Sequence, residues 1–141
     1  MRPFPVQSPL AILGVSLLAL LCGGCAVSDR PVDDGPPVQF DDVAVPDGMV
    51  LKSDLNESYS RQTLAERIGH FEYYGPGTVD ERQDYMRRRM PLNGWELIDE
   101  KTEAGGVELT FDKHPDISVC RIWKDESDVL RMVVDVRPKL P

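Results

Sequence analysis

Residues on which much protein chemistry depends are scarce in this chain. It has two histidines, His70 and His114, far apart in sequence, and three cysteines, Cys22, Cys25 and Cys120, and these form no Cys/His cluster at metal-ligand spacing. No metal or cofactor is therefore expected. Nucleophilic catalysis needs an activated Ser or Cys beside a positioned base, and neither a Gly-x-Ser-x-Gly elbow nor a Cys/His signature is present. The turn Gly75-Pro76-Gly77-Thr78 lacks the Lys of a phosphate loop, and its proline removes one backbone donor, so it reads as a turn and helix cap. Excess positive charge is also missing, with 16 Lys+Arg against 24 Asp+Glu. That balance favours solubility and opposes binding to nucleic acid or to an anionic membrane surface.

Long apolar runs are absent too. Leu10 to Cys22 is uncharged and Leu-rich but falls short of the roughly 20 residues that span a bilayer. With Arg2 and the amino terminus as a short positive region before it, this stretch reads as an export signal. Gly23-Gly24 supply small side chains just ahead of Cys25, as a peptidase requires next to its cut.

These first 25 or so residues resemble bacterial lipoprotein precursors processed by the lipoprotein signal peptidase. The family usually has a branched aliphatic residue, a small residue and Gly or Ala before the cysteine; here Cys22 takes the first of these places, one after Leu21. The resemblance implies removal of residues 1–24, lipidation of Cys25 and attachment to the membrane through that lipid. An uncleaved amino-terminal helix, or an ordinary secretory signal cut near Ala26, would be the alternatives. Cutting at Cys22 instead would leave Leu21 beside the cut. In bacteria with the enteric sorting rule, Ala26 after the cysteine implies release towards the outer membrane. With Arg2 removed, the mature part keeps 15 basic residues against 24 acidic ones. Cys120 would be its only free thiol, which excludes an internal disulfide, and its apolar strand-like setting marks a packing cysteine.

Residues 25–46 form the next segment, in which Pro31, Pro36, Pro37 and Pro46 are mixed with Asp29, Asp33, Asp34, Asp41 and Asp42. Such a composition reads as a disordered tether, about 20 residues reaching roughly 65 Å extended and about 25 Å as a coil. Phe40 and Val43 to Val45 are the residues in it able to dock on a folded body.

Residues 47–141 are expected to form one small α+β domain. Val45-Pro46-Asp47-Gly48 reads as an entry turn, and Lys52 to Arg61 shows little periodicity. Arg67 to Tyr74 reads as a strand with Phe71 and Tyr73 on one face. Thr78-Val79-Asp80-Glu81 is a capping box, predicting a helix with Val79, Met86 and Met90 on one face, ended by Pro91 and Asn93-Gly94. Acids at its start and Arg87-Arg88-Arg89 at its end suit the helix dipole. Four strands follow, Trp95 to Lys101, Val107 to Lys113, Ile117 to Lys124 and Val129 to Arg137, joined by turn-forming residues. The expectation is a helix packed on a mostly antiparallel sheet of about five strands, ordered strand, helix, four-strand meander. Trp95, Leu97, Leu109, Phe111, Met86 and Met90 would form its core.

Tyr73-Tyr74-Gly75, Met90-Pro91, Gly94-Trp95-Glu96-Leu97 and Leu109 to Lys113 are similar to a group of small uncharacterised bacterial envelope lipoprotein domains. These motifs punctuate a fold and bring no catalytic residues. The functional expectation is a lipid-anchored envelope protein acting as a non-catalytic binding or assembly module, with an envelope protein or cell-wall component as partner. Arg87, Arg88 and Arg89 are the candidate contacts, weighed against a solvated helix end pairing with Asp84. The competing expectation is an envelope enzyme whose site gathers distant acids, such as Asp99, Glu100 or Asp112, as general acid or base.

Overall fold

The computed structural model describes residues 38–54 and 56–140. Seven strands form one sheet: β1 (Val50–Leu51), β2 (Tyr59–Gln62), β3 (Arg67–Gly75), β4 (Glu96–Glu103), β5 (Gly106–Lys113), β6 (Asp116–Lys124) and β7 (Leu130–Pro138). One helix, α1 (Val79–Arg89), and a short 3-10 turn (Pro91–Asn93) lie between β3 and β4. The spatial order is β1-β3-β7-β6-β5-β4, with β2 also on the outer edge of β3, and every pairing among the described residues is antiparallel. The α+β class and the β4 to β7 meander are as expected. Two strands are added to the expected five: β1, two apolar residues, is too short to alternate, and β2, Tyr-Ser-Arg-Gln, is largely polar.

The helix begins where its chemistry dictates. The Thr78 hydroxyl accepts from the Glu81 N–H (3.3 Å), and the Glu81 carboxylate accepts from the Thr78 N–H (3.0 Å). Its end runs into Pro91, and Gly94 adopts φ +87°, a left-handed conformation costly to side-chain-bearing residues. Met86 and Met90 are buried against Phe71, Tyr73, Trp95, Leu109, Phe111 and the alternate residues Met132, Val134 and Val136 of β7. Leu97 packs beside them, so the expected core residues do meet.

The register of β4 shifts between Leu97 and Asp99. The extra residue, Ile98, is left half-exposed, and Glu100 turns onto the helix side opposite Leu109. Among the described residues, the other face carries no helix. Charged side chains cross it from strand to strand: Lys101 to Glu108 (3.7 Å), Glu108 to Arg121 (3.1 Å), Arg121 to Asp135 (3.3 Å), Asp135 to His70 (2.6 Å) and Glu72 to Lys52 (3.6 Å). Alternation along β5 and β7 thus serves one dry and one wet face.

Residues 38–46, assigned by composition to the end of the tether, are packed on the dry face. Phe40, Val43 and Ala44 are buried there. Phe40 meets Phe71 edge-to-face at 5.4 Å, above Gly69, where a Cβ would come within 2.8 Å of the Phe40 ring. The folded body therefore begins at least as early as Val38, and twelve residues, 26–37, remain between it and Cys25.

Candidate functional site

The densest polar cluster lies where this N-terminal strap turns at Asp42. Arg67 opens β3, Lys113 closes β5 and Asp116 opens β6, so the register places all three at one end of the dry face. The Asp42 carboxylate accepts from Arg67 Nη1 (2.7 Å) and Lys113 Nζ (2.6 Å). Its backbone carbonyl accepts from Trp95 Nε1 (2.9 Å) and Asn93 Nδ2 (3.1 Å). Arg67 also donates to Asp116 (2.9 Å), and Lys113 to the Asn93 carbonyl (2.9 Å). The Arg67 guanidinium lies 4.8 Å from the Phe40 ring centroid, so one side chain braces both the polar and apolar parts of the strap.

Burial would raise the Asp42 carboxyl, but hydrogen bonds and charge from Arg67 and Lys113 outweigh it and hold the carboxyl below its ordinary range. Both carboxylate oxygens and both cations are engaged with one another. The arrangement is a fastening, strengthened by Tyr73 donating to Gln39 (2.7 Å) and Tyr85 donating to the Val45 carbonyl (2.9 Å).

Cys25 lies outside the described residues. The arginine triplet does not converge. Arg87 makes a bidentate pair with Glu100, with Nε at 2.8 Å, and lies 3.7 Å from Asp84. Arg88 is exposed with Asp84 at 4.0 Å, while Arg89 lies over the Tyr85 ring at 5.8 Å. The bulge in β4 makes the first pairing possible by turning Glu100 toward α1. Arg88 and Arg89 remain available at the surface.

The three acids proposed for catalysis are apart and separately paired. Asp99 contacts Lys101 (3.0 Å), whose hydrogen bond is the main cause holding its carboxyl below the ordinary value. Glu100 is lowered chiefly by its hydrogen bond from Arg87, and Asp112 pairs with Lys139. Glu100 faces α1, while Asp99 and Asp112 belong to the open face. His70 is held between Asp135 and Glu72, and His114 sits in the β5–β6 turn, before a cis bond to Pro115. Cys120 is fully buried, and burial pushes its thiol well above the usual range.

A shallow surface groove of about 340 Å³ runs along the β4–β5 turn, lined by residues 103–108 and 121–124. Its ionisable residues are Glu103, Glu108, Arg121 and Lys124, and Trp123 forms part of its wall. Glu108 is engaged by Arg121 and Lys101. Among the described residues, no three His, Cys, Asp or Glu side chains are grouped to hold a metal ion, and no helix is long and apolar enough to cross a membrane.

Comparison with protein-family models, curated proteins and solved structures finds no match to the chain. Sequence reasoning missed Asp42 as the fastening residue, because its partners Arg67 and Lys113 are 25 and 71 residues away. The only local signal was the apolar run Val43 to Val45 beside it, with Phe40 two residues earlier.

Proposed function

We propose that the protein is a lipid-anchored bacterial cell-envelope protein, held through Cys25, whose α+β body is a non-catalytic binding or assembly module. The observation that carries the anchor is the Leu-rich run closed by Gly23-Gly24-Cys25. The strap adds mechanical sense to it. A body attached through its N-terminal chain needs that chain firmly joined to its core, and the Asp42 cluster supplies the joint. The body faces the periplasm or cell exterior, with the outer membrane favoured by Ala26, and its partner is an envelope protein or a cell-wall component.

The enzyme reading needs a general acid with a raised pKa, or a base free to take a proton. Asp99 and Glu100 are instead held ionised by Lys101 and Arg87, which favours the module. Palmitate labelling of the expressed protein tests the anchor, with loss of label expected in Cys25→Ser. Affinity capture of the lipidated protein from membranes tests the module: one recurrent envelope partner is expected, and its persistence unchanged in an Arg87→Ala/Arg88→Ala variant would remove the arginines from its contact surface.

A further inference from the structure

One end of the body gathers the α1 C-terminus, the β2–β3 turn and the β5–β6 turn. Leu64, Leu92 and Leu140 stand out from it, Leu64 fully exposed and the other two 73% and 77% exposed. They are held in place by local structure. Thr63 Oγ1 accepts from the Ala65 and Glu66 N–H groups behind Leu64. Asn93, next to Leu92, is tied to Asp42, and the Lys139 N–H next to Leu140 donates to the Pro115 carbonyl.

The same end holds Arg88, 4.0 Å from Asp84, and Arg89 in the last turn of α1. Its acids are mostly neutralised: Asp42 and Asp116 by Arg67, Asp112 by Lys139 and Glu66 by Arg61. Asp41 and Glu96 have no ion pair among the described residues. The opposite end carries Asp80 and Glu81 at the α1 N-terminus, Glu103 at the β4–β5 turn and Glu126 at the β6–β7 turn, none of them in an ion pair among the described residues, while Asp128 there is paired with Lys124 (2.7 Å). The body is therefore electrically polar, and its less acidic end is also the one with fixed, exposed leucines. Val38, the first described residue, lies beside β2 and bonds Ser60 through both its N–H and its C=O, and β2 leads directly into the Leu64 turn.

We infer that this end is a membrane-facing surface that contacts anionic phospholipid through Leu64, Leu92, Leu140, Arg88 and Arg89. Basic and apolar side chains together are what an interfacial contact requires, while the acidic pole is repelled outward. The inference deepens the anchored reading and rests on it, since twelve residues separate Cys25 from Val38.

The test uses full-length protein with an environment-sensitive fluorophore at Leu64→Cys or Leu92→Cys, and at Glu126→Cys as the distal control, on phosphatidylcholine vesicles with and without phosphatidylglycerol. Emission at positions 64 and 92 should shift to the blue and be quenched by spin-labelled lipid, more so with phosphatidylglycerol, while position 126 stays aqueous. Arg88→Glu/Arg89→Glu should remove the phosphatidylglycerol dependence. Aqueous emission at 64 and 92 in vesicle-bound lipidated protein overturns the inference and leaves the face to a protein partner. Mass spectrometry of Cys25 separates the two readings. If it is unmodified the anchor fails, and the same vesicles added to that protein still decide the face, which is refuted by an unshifted emission.

Discussion

At Asp42 one carboxylate takes charge-assisted hydrogen bonds from two cations while its carbonyl takes two neutral ones. The folded pKa is depressed, so the stabilisation is fully present above the ordinary aspartate value of 3.8 and is lost as pH falls below it through the folded value. Asp42→Asn leaves Arg67 and Lys113 without their shared anion and should cost about 2 kcal/mol at neutral pH. The difference from the native chain should shrink as pH falls below 3.8. Urea unfolding at neutral and acid pH checks this, and a gap independent of pH would show that the carboxylate's charge is not what holds the strap. Cys120 illustrates the opposite kind of residue. Its neighbours in sequence, Val119 and Ile122, already marked an apolar strand, and its complete burial follows from alternation.

At the scale of elements, α1 and the meander were legible because each carries its own signal within a few residues. The capping box starts the helix, Pro91 and Gly94 end it, and β5 and β7 alternate cleanly between dry and wet faces. Thr78→Ala should therefore cost about 1 kcal/mol, read as a lower melting temperature with the native circular dichroism retained; unchanged melting would mean that β-sheet packing alone positions the helix. Strands β1 and β2 were not legible, because two- and four-residue edge segments take their pairing from β3 rather than from a pattern of their own. The bulge at Ile98 was hidden for a related reason. The partner register, not the β4 sequence, decides that Glu100 turns toward α1 and engages Arg87.

For the whole molecule, the boundary between tether and body matters most. Composition placed it at Pro46, since prolines and aspartates dominate the segment, yet nine residues before Asp47 contribute buried Phe40, Val43 and Ala44. A protein beginning at Asp47 should be at least about 3 kcal/mol less stable than one beginning at Val38, from the apolar area left uncovered. Equal unfolding midpoints would return these residues to the tether. The strap then joins whatever holds the N-terminal chain to the core of the domain, and the proposed envelope address rests on Cys25. The most direct measurement is the mass of the N-terminal peptide of the mature protein isolated from bacterial membranes. The account predicts a chain beginning at Cys25 and carrying a diacylglycerol thioether; a mature chain beginning at Ala26, or an intact leader with an unmodified Cys25, would contradict it.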